Sequence, residues 1–321
     1  MVETVLAVDL GGTNLRIAAI GRDGDISYRS RCSTPHKDDN RSIIDSISDL
    51  AHECLLEIGA TAIVRSIGVA VPAVMDLPRG IICRSPNLPM LNGLHFSDEL
   101  GKRIGMKVVL ENDATSAAIG EHWMGASRNV DNSICVTLGT GVGGGIILNG
   151  LPLRGPDGTG GEVGHICVEP DGHPCGCGSW GCVEQYSSAT AVVRIAKELA
   201  AESSDSTLDD NGDLTAQSLY ESAVIGNPVA VEAFRRMGYY LGIALAGLIN
   251  ALNPDKIVLA GGLSAAWSVF IDSTRDQIDK RAFREPAGRV KLVRAELGDD
   301  AGILGVASVA FSAADKGILE G

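Results

Sequence analysis

One pattern occurs twice in the chain and limits its fold more than any other. Residues 5–8 form a short apolar run rich in branched side chains. Asp9-Leu10-Gly11-Gly12-Thr13-Asn14 follows, then further strand-like runs at 15–20 and 26–31. The same order returns at 134–138, where Gly139-Thr140-Gly141-Val142-Gly143-Gly144-Gly145 leads to 146–148 and, past Asn149-Gly150, to 151–153. Short β-branched runs broken by glycine read as strands, and strand–turn–strand reads as a hairpin. Self-similarity of this kind marks duplication. Two such halves can face each other, each aiming one glycine-rich turn at a shared cleft.

The intervening sequence supplies helices. Apolar residues at helical spacing cover 43–58, with Gly59 as a stop. Further helices are expected at 96–104, 114–124, 189–201, 215–225, 228–252, 265–283 and 301–313, with Asn227 as cap and Pro228 in the first turn of the longest. Strands are expected at 67–71, 107–110, 256–259 and 290–295, and residues 202–213 read as an acidic surface loop. At 321 residues the chain suits two domains.

The net charge of −13 argues against nucleic acid and anionic membranes as partners. An anionic ligand such as ATP would need local backbone N–H groups and a metal ion. The first ten residues lack the basic start of a signal peptide, and no apolar run is long enough to span a bilayer. The eight cysteines show no disulfide-like framework outside one cluster, which points to a reducing cytoplasm.

That cluster lies between Gly160 and Glu184. Cys175, Cys177 and Cys182 are spaced C-x-C-x4-C with glycines between them, and His165 lies upstream. Thiolate and imidazole ligands suit tetrahedral zinc, and a set with no open position reads as structural. A disulfide, a redox pair or merely buried thiols are the alternatives, and His173 rivals His165 as fourth ligand. Glu162, His165 and Glu184 bracket the loop. A rigid knot would fix their relation, as recognition of a polyhydroxylated ligand requires.

The two glycine turns expose backbone N–H groups, and Thr13 or Thr140 adds a hydroxyl, so each can cradle phosphate oxygens. Gly261-Gly262 is a third pair, between a strand and a helix, where a nucleotide could approach closely. Asp113 ends a strand and precedes a helix; it reads as an N-cap and as a carboxylate able to act as general base in phosphoryl transfer. Asn112 can orient a sugar hydroxyl. Asp9 can hold Mg2+, or simply start a turn. Asn87 reads as a hydroxyl reader or a turn residue.

Together these segments resemble the ROK family of sugar kinases, over nearly the whole chain. Residues 9–14 resemble its first phosphate motif, Glu111-Asn112-Asp113 its catalytic motif and 138–145 its second phosphate motif. Residues 161–165 and 175–184 resemble its sugar and zinc signature, and Ala260-Gly261-Gly262 its adenosine motif. The resemblance implies an α/β, actin-like (ribonuclease H-like) duplicated fold with ATP and a hexose meeting in the cleft. The smaller lobe would hold 1–113 with about 301–321, the larger 114–300. Asp113 would be the base. Asn87, Asn112, Asp113, Glu162, His165 and Glu184 would bind the sugar; Asp9, Gly11, Gly12, Thr13, Asn14, Thr140, Gly141, Gly261 and Gly262 would serve ATP and Mg2+. His165 would serve both sugar and zinc, which favours it over His173. The implied activity is phosphorylation of glucose, with mannose, fructose or N-acetylmannosamine as alternative substrates and a homodimer or homotetramer as assembly. A sugar-sensing repressor of the same family is the rival reading. It is disfavoured because strand 5–8 leaves no room for an N-terminal DNA-binding domain. An actin-type polymer would have no use for the cysteine loop.

Overall fold

The computed structural model describes residues 1–35, 40–202 and 214–319, so residues 203–213 of the expected acidic loop lie outside the described residues. In chain order the first half runs β1 (Val2–Leu10), β2 (Asn14–Gly21), β3 (Ile26–Ser33), α1 (Asn40–Ile58), β4 (Ala62–Val71), β5 (Val74–Asp76), β6 (Ile81–Arg84), α2 (Phe96–Ile104), β7 (Val108–Asn112) and α3 (Asp113–Trp123). The second runs β8 (Ser133–Leu138), β9 (Val142–Leu148), β10 (Leu151–Pro152), α4 (Glu184–Ser187), α5 (Ala189–Glu202), α6 (Ala216–Val224), α7 (Pro228–Leu252), β11 (Lys256–Ala260), α8 (Trp267–Arg281), α9 (Arg284–Arg289), β12 (Lys291–Arg294) and α10 (Ala301–Leu319).

The duplication is real and extends beyond the hairpins. One sheet has the order β3-β2-β1-β4-β7, the other β10-β9-β8-β11-β12. In both, the first three strands are antiparallel and the last two join in parallel. This is the actin-like two-lobe α/β fold. Strands β1 and β8 lie at the centre of their sheets because both faces are apolar; Val5, Leu6, Ala7 and Val8 are completely buried. The edge strand β3 alternates half-buried and exposed positions, with Arg29 and Arg31 on the latter side.

Helices α3 and α10 pack against each other between the sheets, α10 lying also on β1 and β4 and α3 on β8 and β9. Helix α7 starts on Asn227, whose side chain accepts from Val229 and Ala230, and stops on Asn253 in the left-handed region at φ 50°. Two expectations need correction. The β5–β6 hairpin was not legible, and the single helix expected at 265–283 is the end of a tight turn over Gly262–Ala266 followed by α8, with α9 a separate helix beyond it. The chain leaves α8 at Ala282, which is extended (ψ 155°). A continuous helix would drive the Pro286 ring into the Ala282 carbonyl, whereas a restart places Pro286 in the first turn of α9. Among the described residues no helix is long and apolar enough to cross a membrane.

Candidate active site

The carboxyl ends of β1, β7, β8 and β11 carry the candidate residues: Asp9 near the end of β1, Asn112 at the end of β7, and the glycine turns after β1, β8 and β11. Open parallel sheets place ligands at these ends. The first turn is pinned from behind, with the Gly11 carbonyl accepting from Thr34 Oγ1 (2.7 Å) and the Thr13 carbonyl from Thr34 N (2.9 Å). The second is pinned alike: Gly139 accepts from Ala189 N (2.8 Å) and Thr140 from Thr190 Oγ1 (2.9 Å). Among the described residues no hydrogen bond occupies the N–H groups of Gly12, Thr13, Thr140 or Gly141. Carbonyls tied back and N–H groups left free suit phosphate oxygens.

Gly261 sits at φ +81°, and a Cβ there would lie 2.3 Å from the Leu138 carbonyl oxygen. The third glycine pair therefore abuts the strand that feeds the second turn, while Gly262 faces open space. On the other side, a Cβ on Gly12 would lie 3.7 Å from Asn87 Cβ, so the first turn and the exposed Asn87 are neighbours.

The second turn is shorter than expected. Only residues 139–141 turn; Val142 to Gly145 belong to β9. A Cβ on Gly144 would strike Val163, and one on Gly145 would strike Ala118 and the Ala114 carbonyl. These glycines serve packing: they let the start of α3 and the 161–163 segment press against β9.

Asp113 is not the helix cap. Asn112 is, its Oδ1 accepting from Ala114 N (3.0 Å) and Thr115 N (3.1 Å), while its Nδ2 donates one hydrogen to the Ala73 carbonyl at 3.5 Å and keeps the other for a ligand. Asp113 is the first helical residue, accepting from Ala114 N at 2.9 Å. Its side chain is open to the cleft, yet protein crowds it elsewhere. This crowding, reinforced by the charges of Asp9 and Glu162 and opposed by the Ala114 N–H, pushes its pKa up to about 6. A carboxyl so tuned is ionised near neutrality but basic enough to take a hydroxyl proton. Asn112, Asp113 and Glu162 line one small cavity of about 80 Å³.

Asp9 is ion-paired with Arg16, directly across the β1–β2 ladder. Its Oδ1 carries no other hydrogen bond among the described residues and is the oxygen open to a cation. Sequence reasoning missed Arg16. It also missed Arg154, which grips the buried Glu111 of β7 from the loop after β10. Burial pushes the Glu111 carboxyl up, against the pull of Arg154.

His165 faces both ways. Its Nδ1 lies 3.6 Å from Cys175 Sγ and its Nε2 3.9 Å from Glu162 Oε2. Glu184 opens α4, accepts from Val142 N at 3.0 Å, and lies 4.0 Å from Cys175 Sγ. One side chain thus links the second glycine turn to the cysteine loop.

Ligand atoms of His165, Cys175, Cys177 and Cys182 lie within 4.8 Å of one another. The Cys177 and Cys182 sulfurs are 3.7 Å apart. That is the edge of a tetrahedron with metal–sulfur bonds of about 2.3 Å, and far from the roughly 2.05 Å of a disulfide. The donor set therefore fits zinc. His173 is engaged elsewhere: its Nε2 lies 2.7 Å from Arg194 and its ring packs on Tyr186.

Comparison with known proteins agrees with this arrangement. The ROK family profile matches residues 5–313. The chain is 35% identical to a glucokinase of Thermotoga maritima, over 95% of this chain and 96% of that one. A crystal structure of a ROK family glucokinase from Streptomyces griseus, in complex with glucose and AMPPNP, superposes with a TM-score of 0.79 at 32% identity, covering 96% of this chain and 99% of that one. That of a ROK family transcriptional regulator, a homolog of the E. coli MLC protein, superposes at 0.90 with 28% identity, over 100% of this chain and 81% of the other. With a family match over almost its full length and the glycine turns, the Asp113 carboxylate and the cysteine loop gathered at one cleft, the chain belongs to the ROK family.

Proposed function

We propose that the protein is an ATP-dependent hexose kinase that phosphorylates the 6-hydroxyl of glucose. The observation that carries this reading is the Asp113 carboxylate: open to the cleft, flanked by Glu162, and raised to about 6 by its surroundings. It takes the hydroxyl proton as the phosphoryl group transfers. Glucokinase relatives at about a third identity support the sugar and the donor.

In this reading Asn87, Asn112, Glu162, His165 and Glu184 hold the sugar hydroxyls. The turn Gly11, Gly12, Thr13 and Asn14 takes the phosphates through the free N–H groups of Gly12 and Thr13, the second turn does so through those of Thr140 and Gly141, and Gly261-Gly262 admits the adenosine. Asp9 holds the Mg2+ that accompanies the nucleotide and neutralises its charge. His165, Cys175, Cys177 and Cys182 hold a structural zinc. The lobes are 1–113 with about 301–321, and 114–300; their closure excludes water. The assembly is a homodimer or homotetramer.

A coupled assay with ATP and with polyphosphate, across glucose, mannose, fructose and N-acetylmannosamine, tests this. Highest kcat/KM for glucose supports it, while preference for another hexose moves the protein to the alternative substrate. The second reading, a sugar-sensing regulator, is favoured by the 0.90 superposition on a transcriptional regulator. Sugar binding without turnover of any of the four hexoses would select it.

A further inference from the structure

The loop that follows β10 is a strap from the second half of the molecule onto the first. At Gly158 (φ +76°) a Cβ would lie 2.8 Å from the Met75 carbonyl oxygen of β5. Earlier in the same loop, Arg154 reaches β7, where its Nε (2.9 Å) and one terminal nitrogen (2.5 Å) donate to the same oxygen, Oε2, of Glu111. The Glu111 side chain is only 2% exposed, and the pair spans 43 residues of sequence.

Arg154 leaves the other oxygen of Glu111 for a different task. Oε1 accepts from Asn112 N at 3.1 Å, and Asn112 caps the helix that begins with Asp113. The backbone of the same arginine works in the opposite direction: its carbonyl accepts from Gly160 N at 2.8 Å, two residues before Glu162. One residue therefore reaches both walls of the cavity shared by Asp113 and Glu162.

We propose that Arg154 is a positioning residue for phosphoryl transfer: through Glu111 it fixes the peptide that starts α3, and so holds the Asp113 carboxylate in register with Glu162. The proposal rests on the reading of Asp113 as the base. Fold stability alone is a poor reason for the pair, because replacing both partners of a buried ion pair by neutral groups is often harmless. Alignment of a base is more demanding: a displacement of about 1 Å can cost about 100-fold in rate.

The test uses Arg154→Met, Arg154→Lys and the double variant Glu111→Gln/Arg154→Met, with kcat, both KM values and the melting temperature measured on each. Arg154→Met should lower kcat by about 100-fold with KM for ATP unchanged. Arg154→Lys should recover part of this, since a point charge replaces the planar fork incompletely. The double variant should melt near the wild-type temperature, having no uncompensated buried carboxylate, yet keep the low kcat. Wild-type kcat in Arg154→Met, or recovery of kcat together with stability in the double variant, overturns the proposal. If Arg154→Met does not fold, the double variant decides by the same criterion. Wild-type protein and Asp113→Asn are assayed alongside: a wild type without turnover, or an Asp113→Asn variant that retains it, defeats the reading of the site and this proposal with it. A lower melting temperature or a raised KM in the Arg154 variants with kcat unchanged, beside an inactive Asp113→Asn, defeats only the proposal.

Discussion

Gly305 of α10 lies directly on Ser116 of α3: a Cβ at 305 would sit 1.7 Å from the Ser116 carbonyl oxygen. The contact is reciprocal, since a Cβ at Gly120 would sit 2.1 Å from the Ala301 carbonyl oxygen. The two helices that join the sheets therefore meet backbone to backbone at these glycines, and further along Trp123 packs against Phe311. Such a crossing has little room to slide.

Gly305→Ala should accordingly destabilise the protein by about 1–3 kcal/mol or more, by overpacking. Gly247→Ala is the counterpart. Gly247 lies exposed on α7 with nothing within 4 Å of a built Cβ. There, alanine should stabilise by about 0.5–1 kcal/mol through helix propensity alone. Thermal melts of the two variants should move in opposite directions; a shared direction contradicts the packing argument.

Asp113→Asn keeps the shape of the side chain and removes its basicity. Loss of the general base should lower kcat by about 10²- to 10⁴-fold. Glucose binding should be largely retained, because Asn87, Glu162, His165 and Glu184 remain in place. Calorimetric titration with glucose beside the coupled assay separates the two. A variant that binds poorly but turns over normally would mark Asp113 as a sugar ligand only.

The raised pKa of Asp113 also fixes the direction of two pH effects. As a base it must be ionised, so kcat/KM should fall as pH drops through about 6. Stability runs the other way. The folded value lies above the ordinary 3.8 of an aspartate, so the site favours the folded chain below that value and loses this contribution as pH rises through about 6. Asp113→Asn should therefore raise the melting temperature above pH 6 and change it little near pH 4. A pH-independent difference would remove crowding as the cause of the shift.

How much of this was legible in the sequence depended on the range of each signal. The duplicated strand–turn–strand pattern and the C-x-C-x4-C spacing are local: the structure holds the two matching sheets, with the second turn shorter than read, and it brings the three thiols and His165 together. Asn112 and Asp113 are adjacent and equally good caps, so which one caps depends on where β7 ends, a matter of sheet register (Val71 opposite Asn112) that spacing does not carry. Gly143, Gly144 and Gly145 looked like turn glycines because glycine reports freedom without its reason; the reason, contact with Ala114, Ala118 and Val163, comes from distant segments. Arg154 gave no local signal at all, since its partner Glu111 lies 43 residues away.

The cysteine loop yields the remaining prediction. Metal analysis of protein purified without chelator should find about one zinc per chain, matching one tetrahedral Cys3His set. Cys177→Ser should lose that metal, whereas His173→Ala should keep it, since His173 is committed to Arg194 and Tyr186. Stripping the metal should weaken sugar binding more than nucleotide binding. His165 and Glu184 both lean on Cys175, so the loop's order is transmitted to the sugar side. The first glycine turn hangs instead on Thr34, far from the metal in the chain, and should keep its grip on phosphate. Equal loss of both ligands on chelation would mean that the metal supports the fold as a whole and not the sugar side in particular.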